Sequence, residues 1–161
     1  MINHGHIDLD ITHKDLEALE FSDYFQCYQQ TPETEIYYNK HNSSIWQMFE
    51  NSPTWIHDFA KKIPQTFDHH VVSAIKLLPG HTIPLHVDKH YKLRQEFGAT
   101  GLSYRYLIFL EDWKSGHYFE LVDQPVAGWQ AGDWIRFSNE QWHIAGNMGI
   151  EPFYTAQVTV V

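Results

Sequence analysis

The chain has 161 residues, a formal net charge of −9 and one cysteine, and these values exclude several classes of protein. The length suits one domain with one hydrophobic core and is too short for two. Acidic residues are in excess and the basic residues are scattered, so a nucleic-acid backbone or an anionic membrane would be repelled. The single Cys27 excludes an internal disulfide framework and cysteine-rich metal sites.

Localisation and partners follow from the same features. The first residues lack a basic stretch that leads into an apolar one, and no apolar run approaches the roughly 18 residues of a membrane span. We therefore expect a cytoplasmic protein with no nucleic-acid or membrane partner. The sequence leaves the oligomeric state open.

Residues 1–70 are expected to be helical or irregular. Asn42-Ser43-Ser44 and Ser52 are typical helix-capping residues, and Pro53 suits a first helical position. Apolar spacing and these caps together predict helices over residues 13–21, 45–49 and 54–62. The second and third of these helices would cover one face of the following β domain.

Residues 71–161 are expected to be mainly β. Glycine-containing turns at 79–80, 114–116 and 128–132 divide this part into about eight short strands, and 90–101 is a long loop. The turn at 114–116 would join two consecutive strands of one hairpin. This pattern predicts a single domain, 1–161, built on a double-stranded β-helix, the cupin-like form of the jelly roll, with the N-terminal helices on one face. The expected strands are 71–78, 83–88, 104–111, 117–122, 133–138, 142–147 and 153–161.

A metal site is predicted around His86-Val87-Asp88. Side chains alternate along a strand, so His86 and Asp88 point to the same face. Two histidines and one carboxylate form the facial triad that binds Fe(II) with open positions, and His143, after the strand 131–137, is the preferred third ligand. His6-Ile7-Asp8 also matches the tripeptide but lies ahead of the β domain, near an end that we expect to be mobile. The alternative is an iron-free β-sandwich with core or surface histidines.

Longer sequence segments around these residues resemble a known family. Residues 79–88 (PGHTIPLHVD), 132–137 (GDWIRF) and His143 resemble the iron and 2-oxoglutarate dependent oxygenase superfamily, nearest to the aspartyl/asparaginyl hydroxylases and small free-amino-acid hydroxylases. The resemblance covers roughly residues 70–161. It implies that the catalytic residues His86, Asp88 and His143 bind Fe(II), that 2-oxoglutarate is oxidised to succinate, and that a C–H bond of a small molecule or amino-acid side chain is hydroxylated. Asn147 would support the cofactor site.

One feature of the family is missing. An Arg or Lys usually follows the distal histidine by about ten residues and pairs with the far carboxylate of 2-oxoglutarate, but Phe153 stands there and no Lys or Arg follows His143. Arg105 is the first candidate for a relocated anchor, since one parity of its strand must line the barrel mouth. Arg136 is the second candidate. For each arginine, a surface salt bridge is the competing interpretation.

Two other functions remain open from the sequence. The protein could be a 2-oxoglutarate-independent iron oxygenase of the same fold, or a non-catalytic cupin-like binding protein. Residues 89–95 would lie in a loop over the barrel mouth, where they could receive an acidic or zwitterionic substrate. His81, His90 and His117 are interpreted as loop or strand-edge side chains.

Overall fold

Two antiparallel β-sheets, facing each other, form the framework of the computed structural model, which describes residues 2–23, 46–48 and 52–161. Every strand pairing in both sheets is antiparallel. The strands are β1 Asn3–His6, β2 Ser22–Asp23, β3 Trp46–Met48, β4 His70–Leu77, β5 Thr82–His86, β6 Tyr104–Phe109, β7 His117–Leu121, β8 Gln124–Val126, β9 Asp133–Ser138, β10 His143–Asn147 and β11 Phe153–Val160.

The strands from β4 onward wind between the sheets. The large sheet has the order β1-β9-β6-β11-β4-β3-β2, and the small sheet has the order β5-β10-β7-β8. Chain order alternates between the sheets, with β7 and β8 as a hairpin, which is the winding of a double-stranded β-helix. The predicted fold class is therefore confirmed. The turn at 114–116 does not close a hairpin, since it leads from β6 in one sheet to β7 in the other.

The N-terminal part contributes strands as well as helices. β1 pairs with β9 at one edge of the large sheet, and β3 pairs with β4 toward the other edge. The expected helix over 45–49 is wrong at residues 46–48, where pairing with β4 fixes an extended backbone; its remaining residues and Cys27 lie outside the described ranges. The expectation of a mobile end is likewise wrong for residues 3–6, which the β9 ladder fixes.

Three helices are described: α1 His13–Glu17, α2 Thr54–Lys62 and α3 Tyr91–Phe97. α2 has the predicted bounds, but Pro53 occupies its N-cap and not its first helical position. α1 ends four residues before the predicted limit. α3 lies inside the predicted loop and ends at Gly98, whose positive φ of 63° suits glycine and whose N–H donates to the Arg94 carbonyl.

The core divides into two clusters on opposite faces of the large sheet. Along β6, Leu107 and Phe109 belong to the cluster between the sheets, whereas Tyr106 and Ile108 belong to the cluster under α2 and the N-terminal segment. Both faces of β11 are covered, which explains why all eight of its residues are buried. Side chains alternate along a strand, so the parity of a residue, odd or even in its number, decides whether its side chain enters the barrel; on β6 the odd-numbered residues do.

Within the described residues, no helix is long and apolar enough to cross a membrane.

Candidate metal centre

Three donor side chains meet at the mouth of the barrel. His86 ends β5 and His143 begins β10, and the two residues are direct partners in the β5–β10 ladder. Asp88 follows two residues after His86. One donor atom from each of the three lies within 4.8 Å of the others. The sheet register therefore brings together residues that are far apart in the chain.

Both histidines have the same orienting contact. Nδ1 of His86 lies 2.6 Å from the Pro84 carbonyl, and Nδ1 of His143 lies 3.0 Å from the Gln141 carbonyl. A carbonyl only accepts, so Nδ1 carries the hydrogen in each ring and Nε2 keeps its lone pair. These Nε2 atoms lie 3.6 Å and 3.7 Å from the Asp88 carboxylate oxygens. Both rings thus present the nitrogen that a metal requires.

Burial keeps His143 neutral. Its ring packs against Phe137, with centroids 4.6 Å apart, and the residue is 5% exposed. Burial lowers the pKa of His143 to about 4, although the Asp88 charge opposes this shift. At neutral pH the imidazole is therefore unprotonated, the form that binds a metal.

Asp88 is ionised in spite of its burial. Burial by itself raises the pKa of Asp88, but the positive charge of Arg105 and the nearby His86 and His90 rings outweigh it, and the net pKa lies well below the ordinary value. Its buried Oδ2 has no well-aligned hydrogen bond. Two imidazoles and an ionised carboxylate form a donor set that suits a divalent cation such as Fe(II).

Arg105 reaches the same carboxylate from the large sheet. It has the parity of Leu107 and Phe109, which enter the barrel. Nη1 lies 2.7 Å from Asp88 Oδ2, and Nε donates to Thr159 Oγ1 at 3.3 Å. The Arg105 side chain is 15% exposed. The structure therefore places this candidate anchor inside the barrel, in contact with one of the three donor residues.

Arg136 lies on the opposite face of the large sheet. It shares the parity of Trp134, which packs in the outer cluster. Its guanidinium carbon stacks 3.7 Å from the centroid of the Tyr104 ring. The structure does not bring Arg136 to the three donors, so we assign it no part in the site.

Asn147 lies at the other end of β10 from His143. Four residues of strand separate their Cα atoms by about 13 Å. Its amide donates to the Leu77 and Glu151 carbonyls at 2.9 and 2.8 Å, and its Oδ1 accepts from the Gly149 N–H at 3.0 Å. These bonds hold the connection between β10 and β11, and we assign Asn147 no cofactor contact.

Phe153, which stands at the usual position of the cosubstrate anchor, belongs to an aromatic cluster. Its ring stacks on His117 at 4.7 Å and on Trp129 at 5.3 Å between centroids. Phe109 stacks on Trp129 at 4.0 Å. Aromatic side chains fill this end of the barrel, so a cosubstrate carboxylate has no charged partner at Phe153.

His90 is a site residue that the sequence interpretation missed. Its side chain is fully buried, its φ is +43°, and its Nε2 lies 3.4 Å from Asp88 Oδ2. Nδ1 lies 2.6 Å from Ser103 Oγ. Strand alternation could not place His90, because β5 ends at His86 and the backbone turns before α3. The available signal was the spacing His86-x-Asp88-x-His90.

His6 and Asp8 lie elsewhere. His6 pairs through Nδ1 with Asp133 Oδ1 at 2.8 Å, at the opposite end of β9 from the loop that leads to His143. The Asp8 side chain is fully exposed. Neither residue belongs to the group of three donors.

Comparison with known proteins supports the fold. No family model and no curated protein matches the sequence. A prolyl-4-hydroxylase from Pseudomonas putida is similar in structure, with 12% identity, coverage of 91% of this chain and 80% of that one, and a TM-score of 0.59. A predicted oxalate decarboxylase from Thermotoga maritima has 18% identity, coverage of 74% and 82%, and a TM-score of 0.44.

The fold and the site together define a class. The chain is a double-stranded β-helix protein whose His86, Asp88 and His143 could hold a metal ion at the barrel mouth. At 12% identity the similarity to the prolyl-4-hydroxylase bears on the fold alone.

Proposed function

We propose that the protein is a non-haem Fe(II) and 2-oxoglutarate-dependent dioxygenase that hydroxylates a small molecule or an amino-acid side chain. The observation that carries the proposal is the grouping of His86, Asp88 and His143, with each imidazole Nδ1 bonded to a backbone carbonyl and each Nε2 within 3.7 Å of the carboxylate. This donor set is the one that leaves open positions on Fe(II). Iron bound there would supply oxygen activation coupled to decarboxylation of the 2-oxo acid.

The metal-binding side chains have fixed positions. His86 and His143 are held by backbone carbonyls, so little side-chain entropy would be lost when a metal binds. Asp88 would supply the negative ligand. The barrel wall beside them excludes water from one side of the site, since Phe137 and Phe119 pack against His143. The protein would thus contribute geometry and a dry surface.

Arg105 is the residue that we propose for the cosubstrate carboxylate. Guanidinium groups bind carboxylates through paired hydrogen bonds. Next to Arg105 the barrel interior is polar: Thr159 accepts its Nε–H, and the buried Ser73 and Gln157 are bonded to each other at 3.2 Å on the neighbouring strands. A polar patch inside an otherwise aromatic barrel supports a bound polar ligand there.

The segment after Asp88 supports a small amino-acid-like substrate. α3 begins three residues after the carboxylate, and Tyr91, 73% exposed, projects from it. Basic side chains on the segment, including Arg94, could receive a substrate carboxylate. The structural similarity to a prolyl-4-hydroxylase is compatible with hydroxylation but does not identify the substrate.

Succinate production tests the proposal. The protein would be loaded with Fe(II) without oxygen, mixed with 2-oxoglutarate in air, and assayed for succinate by mass spectrometry. We expect slow uncoupled succinate formation, its loss in Asp88→Asn, and its retention in Arg136→Gln, whose side chain lies on the other face of the sheet. Tight Fe(II) binding without any succinate would contradict the proposal.

Two observations support a second candidate function. Phe153 replaces the usual anchor, and Arg105 is paired with Asp88. Both facts would also suit an iron oxygenase that takes its electrons from the substrate and needs no 2-oxo acid. Such an enzyme would consume oxygen in the presence of its substrate and form no succinate.

A further inference from the structure

The ion pair between Arg105 and Asp88 places a cation where a metal would bind. Nη1 lies 2.7 Å from Asp88 Oδ2, and the two side chains are 15% and 10% exposed. Coulomb interactions between side chains buried to this degree are screened far less than on an open surface. Whatever binds to this carboxylate must therefore act against, or displace, the guanidinium.

The charge balance around Asp88 is complete without a metal. The Asp88 carboxylate and the Arg105 guanidinium, 2.7 Å apart, form an ion pair whose charges cancel. A divalent cation would leave this largely buried site with two uncompensated positive charges, which is unfavourable at low dielectric. A dianion with two carboxylates, such as 2-oxoglutarate, would restore neutrality.

From this we infer that Arg105 is shared: it pairs with Asp88 when no cosubstrate is bound, opposes metal binding in that state, and pairs with the cosubstrate carboxylate when that ligand is present. The inference rests on the proposed function, since it takes the cosubstrate to be a dicarboxylate. Linkage requires that the metal and the dianion then strengthen each other's binding.

The inference predicts effects of opposite sign for one substitution. Arg105→Gln removes the cation, so Mn(II) alone should bind about tenfold more tightly than to the wild type. The same substitution removes the partner of the cosubstrate, so 2-oxoglutarate should bind at least tenfold more weakly to the Mn(II)-loaded protein. A purely structural role of Arg105 would weaken both ligands together.

Isothermal titration calorimetry measures both affinities, with Mn(II) as the redox-stable probe. Arg105→Lys keeps the charge beside Asp88 and should bind Mn(II) as weakly as the wild type, which separates charge from shape if Arg105→Gln folds less well. Arg136→Gln is the matched control, an arginine removed from the other face of the adjacent strand, and should change neither affinity. Thermal unfolding verifies that each variant is folded.

The outcomes separate the two proposals. If wild type binds both ligands and Arg105→Gln binds Mn(II) no more tightly than wild type, the sharing of Arg105 is overturned and the proposed function stands. If wild type binds Mn(II) but no 2-oxoglutarate, the proposed cosubstrate is wrong. Tighter Mn(II) binding together with weaker 2-oxoglutarate binding in Arg105→Gln supports both.

Discussion

The His-x-Asp pattern has different structural surroundings in two regions of the molecule. His86-Val87-Asp88 ends a strand of the small sheet opposite His143, and its carboxylate is 10% exposed. His6-Ile7-Asp8 ends an edge strand of the large sheet, and its carboxylate is fully exposed. The two segments match in sequence pattern, so the difference arises from what the fold places across from each one.

The His-x-Asp pattern occurs a third time in the sequence, where the sequence interpretation overlooked it, and this copy also shows that the fold decides what the pattern does. His13-Lys14-Asp15 lies in α1, where residues two apart do not share a face. Asp15 instead accepts hydrogen bonds from the Thr12 N–H and hydroxyl at 2.6 and 2.7 Å. Among the described residues, only the pair at 86 and 88 joins a group of three donors.

The largest expected effect is on metal affinity. Asp88→Asn keeps the side-chain shape and removes the anionic ligand, so Mn(II) binding should weaken more than a thousandfold, or about 4 kcal/mol. Asp8→Asn makes the same chemical change in the other tripeptide and should leave the affinity within twofold. Calorimetric titration measures both variants, and equal losses would refute the assignment of the metal site.

Asp88→Asn should also destabilise the metal-free protein. The substitution leaves the Arg105 guanidinium in a largely buried site without its partner, a defect that costs about 3 kcal/mol in comparable pairs. Urea unfolding with a chelator present measures the loss. The double variant Asp88→Asn/Arg105→Gln should recover most of it, whereas additive losses would show that the two residues are not coupled.

The third effect is a pH dependence of stability. The folded pKa of His143, about 4, lies below the unfolded value of 6.5, so between these values the unfolded chain binds a proton that the folded protein does not. His143 alone should therefore make the stability of the metal-free protein fall as the pH decreases through this window, by about 2 kcal/mol between pH 7 and pH 5. The depressed pKa of Asp88 acts at lower pH, since that contribution is lost only below about pH 4.

Urea unfolding at pH 7 and pH 5, with a chelator present, measures this loss of stability in the wild type and in His143→Gln. The variant lacks the titrating ring, so its loss of stability should be smaller by about 2 kcal/mol. His70, His90 and His117, whose pKa values are also lowered by burial, contribute equally to both proteins and cancel. Identical pH profiles would show that His143 is not the residue responsible.

The fold was accessible from the sequence because its cues are local. Alternating apolar residues and glycine turns located seven of the eight strands from β4 to β11 to within two residues at each end, missing only β8, and α2 has its predicted bounds. β3 was missed because pairing with β4 overrides the helix pattern around Trp46. The face of each arginine could not be decided from alternation alone, since the parity that enters the barrel depends on the sheet register.

The site was predictable where it lies on a strand or within two residues of a strand end. His86, Asp88 and His143 meet that condition, and of the two arginines that were candidates by position only Arg105 contacts the site. His90 was missed because its orientation depends on a left-handed backbone conformation after the strand has ended. Its contact with Asp88 is a tertiary feature of the turn into α3.

The smallest predicted effect concerns this missed residue. His90 connects Ser103 to Asp88, with 2.6 Å at one ring nitrogen and 3.4 Å at the other, and such partners orient a metal-binding carboxylate. His90→Leu keeps the volume and removes the contact, so Mn(II) affinity should fall about tenfold, or about 1.4 kcal/mol. Calorimetric titration measures this change.

Two variants separate orientation of Asp88 from a general packing defect. His90→Gln offers an amide N–H near the position of Nε2 and should restore most of the affinity. His117→Leu removes an equally buried histidine, stacked on Phe153 at the aromatic end of the barrel, and should lower stability while leaving Mn(II) affinity unchanged. If His117→Leu weakens Mn(II) binding as much as His90→Leu does, the effect comes from loosened packing, because His90 contacts the Asp88 carboxylate and His117 does not.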